Sequence, residues 1–216
     1  MKTQSAHRGV TYVETLFVLA IIAVLAVIGI PRYLRARTNA LQSEAVTNLK
    51  SLATSLRTQQ NPPFNIHVYG FDPPRGNRYS YHLDNGCYSF EERSSMNAVQ
   101  NDSDICVGVD VFQHMSFPMI FNPVRLTTYS WSRPPDWYGP PSALGNSAGI
   151  IGACGYPGWE FLAYAAGDVD DDPFGSADTW VVASADGNLS PVCPSSGSTQ
   201  VPAGEPFMVY DDSACN

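Results

Sequence analysis

The densest group of chemistry-bearing side chains is Asp168-Val169-Asp170-Asp171-Asp172, with Asp178 following after Pro173-Phe174-Gly175-Ser176-Ala177. Crowded carboxylates repel one another. A hard divalent cation such as calcium, held by carboxylate and carbonyl oxygens, relieves that repulsion. The alternation of Asp168, Asp170 and Asp172 imitates the opening of an EF-hand loop. Pro173 stands where that loop needs glycine, and Thr179 where it needs a bidentate glutamate, so this is not an EF-hand. The expected calcium ligands are Asp168, Asp170 and Asp172, with Asp178 next. The competing reading is a solvated acidic turn whose aspartates bond their own backbone.

Other reactive patterns are weaker. Gly145-Asn146-Ser147-Ala148-Gly149 fits G-x-S-x-G, but a nucleophile elbow needs a strand before it and a helix after it. Pro140 and Pro141 precede it and Gly152 follows, so a small-residue loop is the better reading. His7, His67, His82 and His114 have no metal-binding spacing, and no phosphate-cradling glycine motif is present. Cys87, Cys106, Cys154, Cys193 and Cys215 form no CxxC pair, which argues against zinc and for an oxidising compartment. Charge is divided along the chain. All 12 Lys and Arg lie at or before Arg133, and the net charge is -8. A surface that binds phosphates needs bases to displace counterions, so the acidic C-terminal half is not expected to bind nucleic acid.

The elements that position the acids are expected to be short strands. Candidates are Arg78–Leu83, Cys106–Phe112, Trp159–Ala166, Thr179–Ala185 and Phe207–Tyr210, separated by turns at Asp84-Asn85-Gly86, Gly167-Asp168 and Asp186-Gly187-Asn188. Cys106–Phe112 alternates, with Val107, Val109 and Val111 predicted on one face. The acidic run thereby becomes the connection between two neighbouring strands. Residues 113–158, rich in Pro and Trp, read as a loop-rich insertion.

Helix is expected only at the front. From Val10 to Ile30 the chain is apolar except for Thr11, Tyr12, Glu14 and Thr15. As a helix that run spans about 30 Å, the thickness of a bilayer core. A secretory signal would place a small-residue cleavage site after the run, where Pro31-Arg32-Tyr33 stands instead. A plain anchor does not account for Glu14, because a carboxylate at membrane depth is costly and marks a function or a partner. Beyond Pro31, the residues Leu34, Leu41, Ala45, Leu49, Leu52 and Leu56 make one helical stripe, with Gln42 and Asn48 among the polar residues off it. The helix is expected to bend or melt at Pro31 and to stop at Asn61-Pro62-Pro63.

The string Gly9-Val10-Thr11-Tyr12-Val13-Glu14 resembles the G-F-T-L-I-E cleavage box of type IV pilins and pseudopilins. Gly, Thr and Glu match, and the likeness runs through the apolar segment to Pro31, where pilins carry a helix-bending proline. Gly70 to Tyr81 resembles a further pilin segment. The resemblance implies an α+β fold: a long N-terminal helix packed on an antiparallel sheet. It divides the chain into a leader (1–9), a membrane and fibre-core helix (10–30), the amphipathic half of that helix (31–61) and a β-rich globular domain (62–216).

It implies a mechanism as well. A prepilin peptidase cuts after Gly9 and methylates Val10. Glu14 then neutralises the N-terminal amine of an adjacent subunit, since both charges are costly in an apolar core unless paired. The implied partners are other pilin subunits, the peptidase and inner-membrane assembly machinery. The chain would sit in the inner membrane as a single-pass protein and then in an extracellular pilus, or a periplasmic pseudopilus. Many pilins close a C-terminal disulfide loop, which suggests Cys193 with Cys215. Cys87 with Cys106 is the second pairing, leaving Cys154 free.

Three other readings stand beside a pilin that is a non-enzymatic structural subunit for adhesion, motility or DNA uptake. They are a pseudopilin of a type II secretion system, a membrane-anchored calcium-dependent binding protein, and a periplasmic hydrolase using Ser147. Arg32, Arg35 and Arg37 after the span run against the positive-inside rule, and the cleavage box outweighs them. The large looped domain leans towards a minor subunit.

Overall fold

The computed structural model describes residues 11–59, 64–83, 87–124, 128–131, 149–151, 159–173, 175–195, 197 and 199–215. Gly9, Val10, Ser147, Cys154, the 84–86 turn and most of 132–158 lie outside these residues. The chain divides into two units, Met1–Ala40 and Leu41–Asn216. The division falls inside helix α1 (Tyr12–Arg57).

Within the first unit, α1 is helical through Pro31, so the local melting expected there does not occur. Proline removes one backbone hydrogen bond, and the bonds of the flanking turns carry the helix past it. Among the described residues, the large apolar side chains from Tyr12 to Leu34 are exposed.

Within the second unit, Ala45, Leu49, Leu52, Ala53 and Leu56 of α1 are buried against the sheet, with Leu41 packed at their edge. The helix ends at Arg57, short of the prolines, where Thr58 and Gln59 donate to carbonyls three residues back and tighten the last turn. Gln42 and Asn48, expected off the packed stripe, are buried. Each has a polar partner across the interface: Asn48 donates to the Tyr81 hydroxyl at 2.6 Å and Gln42 to Asp178 at 3.1 Å.

Among the described residues ten strands follow: β1 (Tyr79–His82), β2 (Phe90–Glu91), β3 (Cys106–Val107), β4 (Thr128–Trp131), β5 (Gly149–Ile151), β6 (Glu160–Gly167), β7 (Asp178–Ala183), β8 (Gly187–Ser190), β9 (Thr199–Val201) and β10 (Phe207–Tyr210). The main sheet runs β10-β7-β6-β1-β3-β2, with β5 also paired to β6; β4, β8 and β9 form a second sheet. Pairing is antiparallel except between β2 and β3. The α+β fold is therefore as expected, with a parallel pair at one edge.

Strand β6 explains the layering. Phe161, Ala163 and Ala165 face the α1 core, while Leu162 and Tyr164 face the cluster that contains Leu189, Val201 and Trp131 of the second sheet. A strand covered on both sides reads as a continuous apolar run, as EFLAYAAG does.

The expected strand over Cys106–Phe112 ends at Val107. A Cβ on Gly108 would lie 2.8 Å from the Glu91 carbonyl, and this close approach of two backbones turns the chain aside. Val107 and Val109 consequently enter different clusters rather than sharing one face. Asp186-Gly187-Asn188 was expected as a turn, yet its last two residues begin β8.

The segment from Gly70 to Tyr81 is clamped by two arginines. Arg75 binds Asp110 with two hydrogen bonds, at 2.6 and 2.9 Å. Arg93, 1% exposed, bonds Glu91 at 2.7 Å, Asn77 at 2.8 Å and the Pro73 carbonyl at 2.8 Å. Removing one member of a buried ion pair strands the other charge. Arg93→Met is therefore expected to cost about 3–5 kcal/mol in denaturant unfolding of the full chain, and Arg93→Met with Glu91→Gln to cost less than Arg93→Met alone.

Candidate assembly segment and acidic loop

Glu14 lies in the first turn of α1, where its carboxylate is already engaged. The Thr11 backbone N–H and hydroxyl both donate to Glu14 Oε2, at 2.7 and 2.8 Å, and the Glu14 N–H donates back to the Thr11 hydroxyl. This reciprocal pair is a capping box: threonine before the helix and glutamate at its third position. Thr-x-x-Glu is itself the sequence signature of this local role, which stands beside the intersubunit one that the resemblance implies. Around it, Tyr12, Val13, Leu16 and Phe17 are exposed. The stretch is long and apolar enough to cross a bilayer.

The acidic loop joins β6 to β7, as the strand pattern predicted. Gly167 sets its start: a Cβ there would lie 2.7 Å from the Tyr79 ring and 2.9 Å from the Arg78 carbonyl. Asp168 Oδ1 then accepts the backbone N–H groups of Asp170 and Asp171, at 2.9 and 2.7 Å. Asp171 adopts φ 69°, a left-handed conformation that aspartate tolerates better than most residues. Arg78 braces the loop, with Nε on the Asp168 carbonyl at 3.1 Å and Nη2 on the Asp171 carboxylate at 2.7 Å. The Arg78 guanidinium also lies over the Phe117 ring, 4.7 Å from its centroid.

Of the four expected ligands, the structure brings two together. Asp168 and Asp170 meet Asp212, a residue the sequence did not suggest, and one carboxylate oxygen from each lies within 4.8 Å of the others. Asp172 is exposed outside this cluster. Asp178 is buried elsewhere in the polar network, accepting from Tyr79 at 2.6 Å, Trp180 at 2.8 Å and Gln42 at 3.1 Å. Three donors already satisfy it, so it acts as a joint between α1 and the sheet.

Asp212 opens the short helix α2 (Asp212–Cys215). Burial, followed by the charges of Asp170 and Asp168, pushes its carboxyl up to about 7. Burial raises Asp168 too, against the backbone hydrogen bonds from Asp171 and Asp170. Two carboxylate oxygens here, Asp168 Oδ2 and Asp212 Oδ1, are buried with no hydrogen-bond partner.

Nearby disulfides organise the edges. Cys193 is joined to Cys215 and Cys87 to Cys106, with Cα atoms 6.0 and 5.5 Å apart. The bonded Cys87 and Cys106 offer no thiolate to a metal, although His82 lies beside them.

Arg78 is also linked to α1. Its backbone N–H donates to Glu44 at 3.1 Å, and the Tyr81 hydroxyl donates to the same carboxylate at 3.2 Å. Burial raises the Glu44 carboxyl more than these hydrogen bonds and the Arg78 charge lower it. A carboxyl raised by folding stabilises the fold fully below its unfolded value, about 4.3, and that contribution is lost as pH rises through the folded value. Relative to wild type, Glu44→Gln is thus expected to gain stability as pH rises above about 4.5, and thermal melts at stepped pH check the sign.

The comparisons with known proteins agree with this geometry. The family profile described as Type IV pilin PilA matches residues 36–176, nearly two-thirds of the chain. A relative in Myxococcus xanthus (strain DK1622), named Type IV major pilin protein PilA, is 30% identical over 220 residues. That match covers 97% of this chain and 94% of the relative.

Proposed function

The chain belongs to the type IV pilin family, and on that premise we propose that it is the major subunit of a type IV pilus, polymerised through the first half of α1. The observation that carries this reading is Glu14: a carboxylate in a helix whose surrounding apolar surface is exposed. Such a surface needs lipid before assembly and other subunits after it. The relative's name, over nearly the whole chain, favours a pilus over a secretion pseudopilus, and a major over a minor subunit.

On this reading a membrane peptidase cuts after Gly9 and methylates the amine of Val10. The chain then waits in the inner membrane as a single-pass protein and is passed by assembly machinery into an extracellular fibre. Glu14 takes two partners in turn. In the single subunit Thr11 donates both its hydrogen bonds to Oε2. During polymerisation the carboxylate also accepts the Val10 amine of a neighbouring subunit, so that neither charge enters the apolar core alone. Pro31 lacks one helical hydrogen bond and marks where α1 yields most readily when subunits pack. The role is structural, and the subunit needs no catalytic group for it.

Intact mass of subunits from sheared fibres is expected to give a chain beginning at Val10 with one added methyl. A chain beginning at Met1 or after Ile30 contradicts the processing. Glu14→Ala is expected to leave the chain folded and membrane-inserted while cutting its incorporation into fibres at least tenfold, read by immunoblot of the sheared fraction. Incorporation at the wild-type level removes the charge-pair role.

A further inference from the structure

We infer that Asp168, Asp170 and Asp212 form a calcium site that ties the C-terminal disulfide loop to the β6–β7 connection. The three carboxylates come from two places far apart in sequence, and one oxygen from each lies within 4.8 Å of the others. Asp168 and Asp212 are each 1% exposed. Asp168 Oδ1 is used by two backbone N–H groups, whereas Asp168 Oδ2 and Asp212 Oδ1 are buried without any hydrogen-bond partner. A buried polar atom left unpaired is costly, and a buried carboxylate more so. Arg78 reaches this loop but bonds the Asp168 carbonyl and the Asp171 carboxylate, not these two oxygens.

A divalent cation among the three carboxylates supplies the counter-charge that the buried Asp168 and Asp212 lack. Three carboxylates around a dication leave a small net charge, and carbonyls and water complete an all-oxygen shell. Coordination chemistry separates the candidates. Magnesium demands near-octahedral geometry and gives up its waters reluctantly, whereas calcium takes carboxylate and carbonyl oxygens in a flexible shell. Three carboxylates brought together by a loop and a helix start therefore suit calcium better.

The site has a mechanical consequence. Asp168 and Asp170 follow β6, while Asp212 opens α2, whose Cys215 is bonded to Cys193. The Asp211 N–H donates to the Cys193 carbonyl at 2.8 Å. An ion between the loop and α2 fixes the far end of that disulfide loop against the main sheet. The alternative relief is a proton shared by Asp212 and Asp170, and it leaves no calcium response. This inference uses none of the residues on which the fibre reading depends, so either can fail alone.

The test uses the full chain in detergent, stripped with chelator and then melted in chelator, in calcium or in magnesium. Calcium at about a hundredfold excess over its Kd is expected to raise the Tm by about 5–10 °C, with magnesium giving less. Asp212→Asn is expected to lose that rise, and Asp172→Asn, outside the cluster, to keep it. Should Asp212→Asn fail to fold, Asp170→Asn, at an exposed position, is read by calorimetry: one calcium per wild-type chain and none in the variant. Equal melting in calcium and chelator, a rise that survives in Asp212→Asn, or a rise lost in Asp172→Asn overturns the assignment.

Discussion

The apolar surface of α1 from Tyr12 to Ile30 is the constraint on which the rest depends. Its large side chains stay exposed among the described residues. Water does not tolerate a continuous patch of this size, and lipid or other subunits must cover it. Glu14 adds a demand that lipid alone cannot meet. A carboxylate there needs donors, and Thr11 supplies two. The carboxylate is thereby engaged within the first turn of its own helix.

The second half of the helix answers a different demand. Leu49, Leu52 and Leu56 are fully buried, and Asn48 and Gln42 reach across to Tyr81 and Asp178. This end of α1 is thus held by apolar contact and by polar joints that fix its register. Tyr79 and Trp180 donate to the same Asp178, so one carboxylate links helix, β1 and β7. β6 supports this from the middle of the sheet, paired to β7 along one edge and to β1 and β5 along the other. Covered on both faces, it separates the α1 core from the second sheet.

Much of this was legible in the sequence where the signal was local. The apolar run, the lone Glu14 and the stripe through Leu56 are patterns within one element, and both expected disulfides form, Cys193–Cys215 on the family resemblance and Cys87–Cys106 as the second pairing. The long buried strand and β10 were readable from their apolar runs. β4, β8 and β9 were not, because TYSW, GNLS and TQV are short, polar and mixed with turn residues. For Asp178 the sequence shows a carboxylate and hides its three donors. Asp212 lies far down the chain, beside Asp211 in a segment with no repeat or spacing, and only folding places it next to Asp168. Gly108 was visible, but the carbonyl it approaches belongs to β2, which was itself unread.

On the proposed reading, α1 becomes the core of a fibre and Glu14 receives a neighbour's amine. Electron cryomicroscopy of fibres sheared from cells tests this most directly, because it shows each helix with its neighbours in place. The account predicts that residues 11–30 of successive subunits pack together at the fibre axis, with the Glu14 carboxylate within about 4 Å of the Val10 amine of an adjacent subunit. Fibres in which that helix lies at the surface, or in which Glu14 faces water with no amine near it, would contradict the claim.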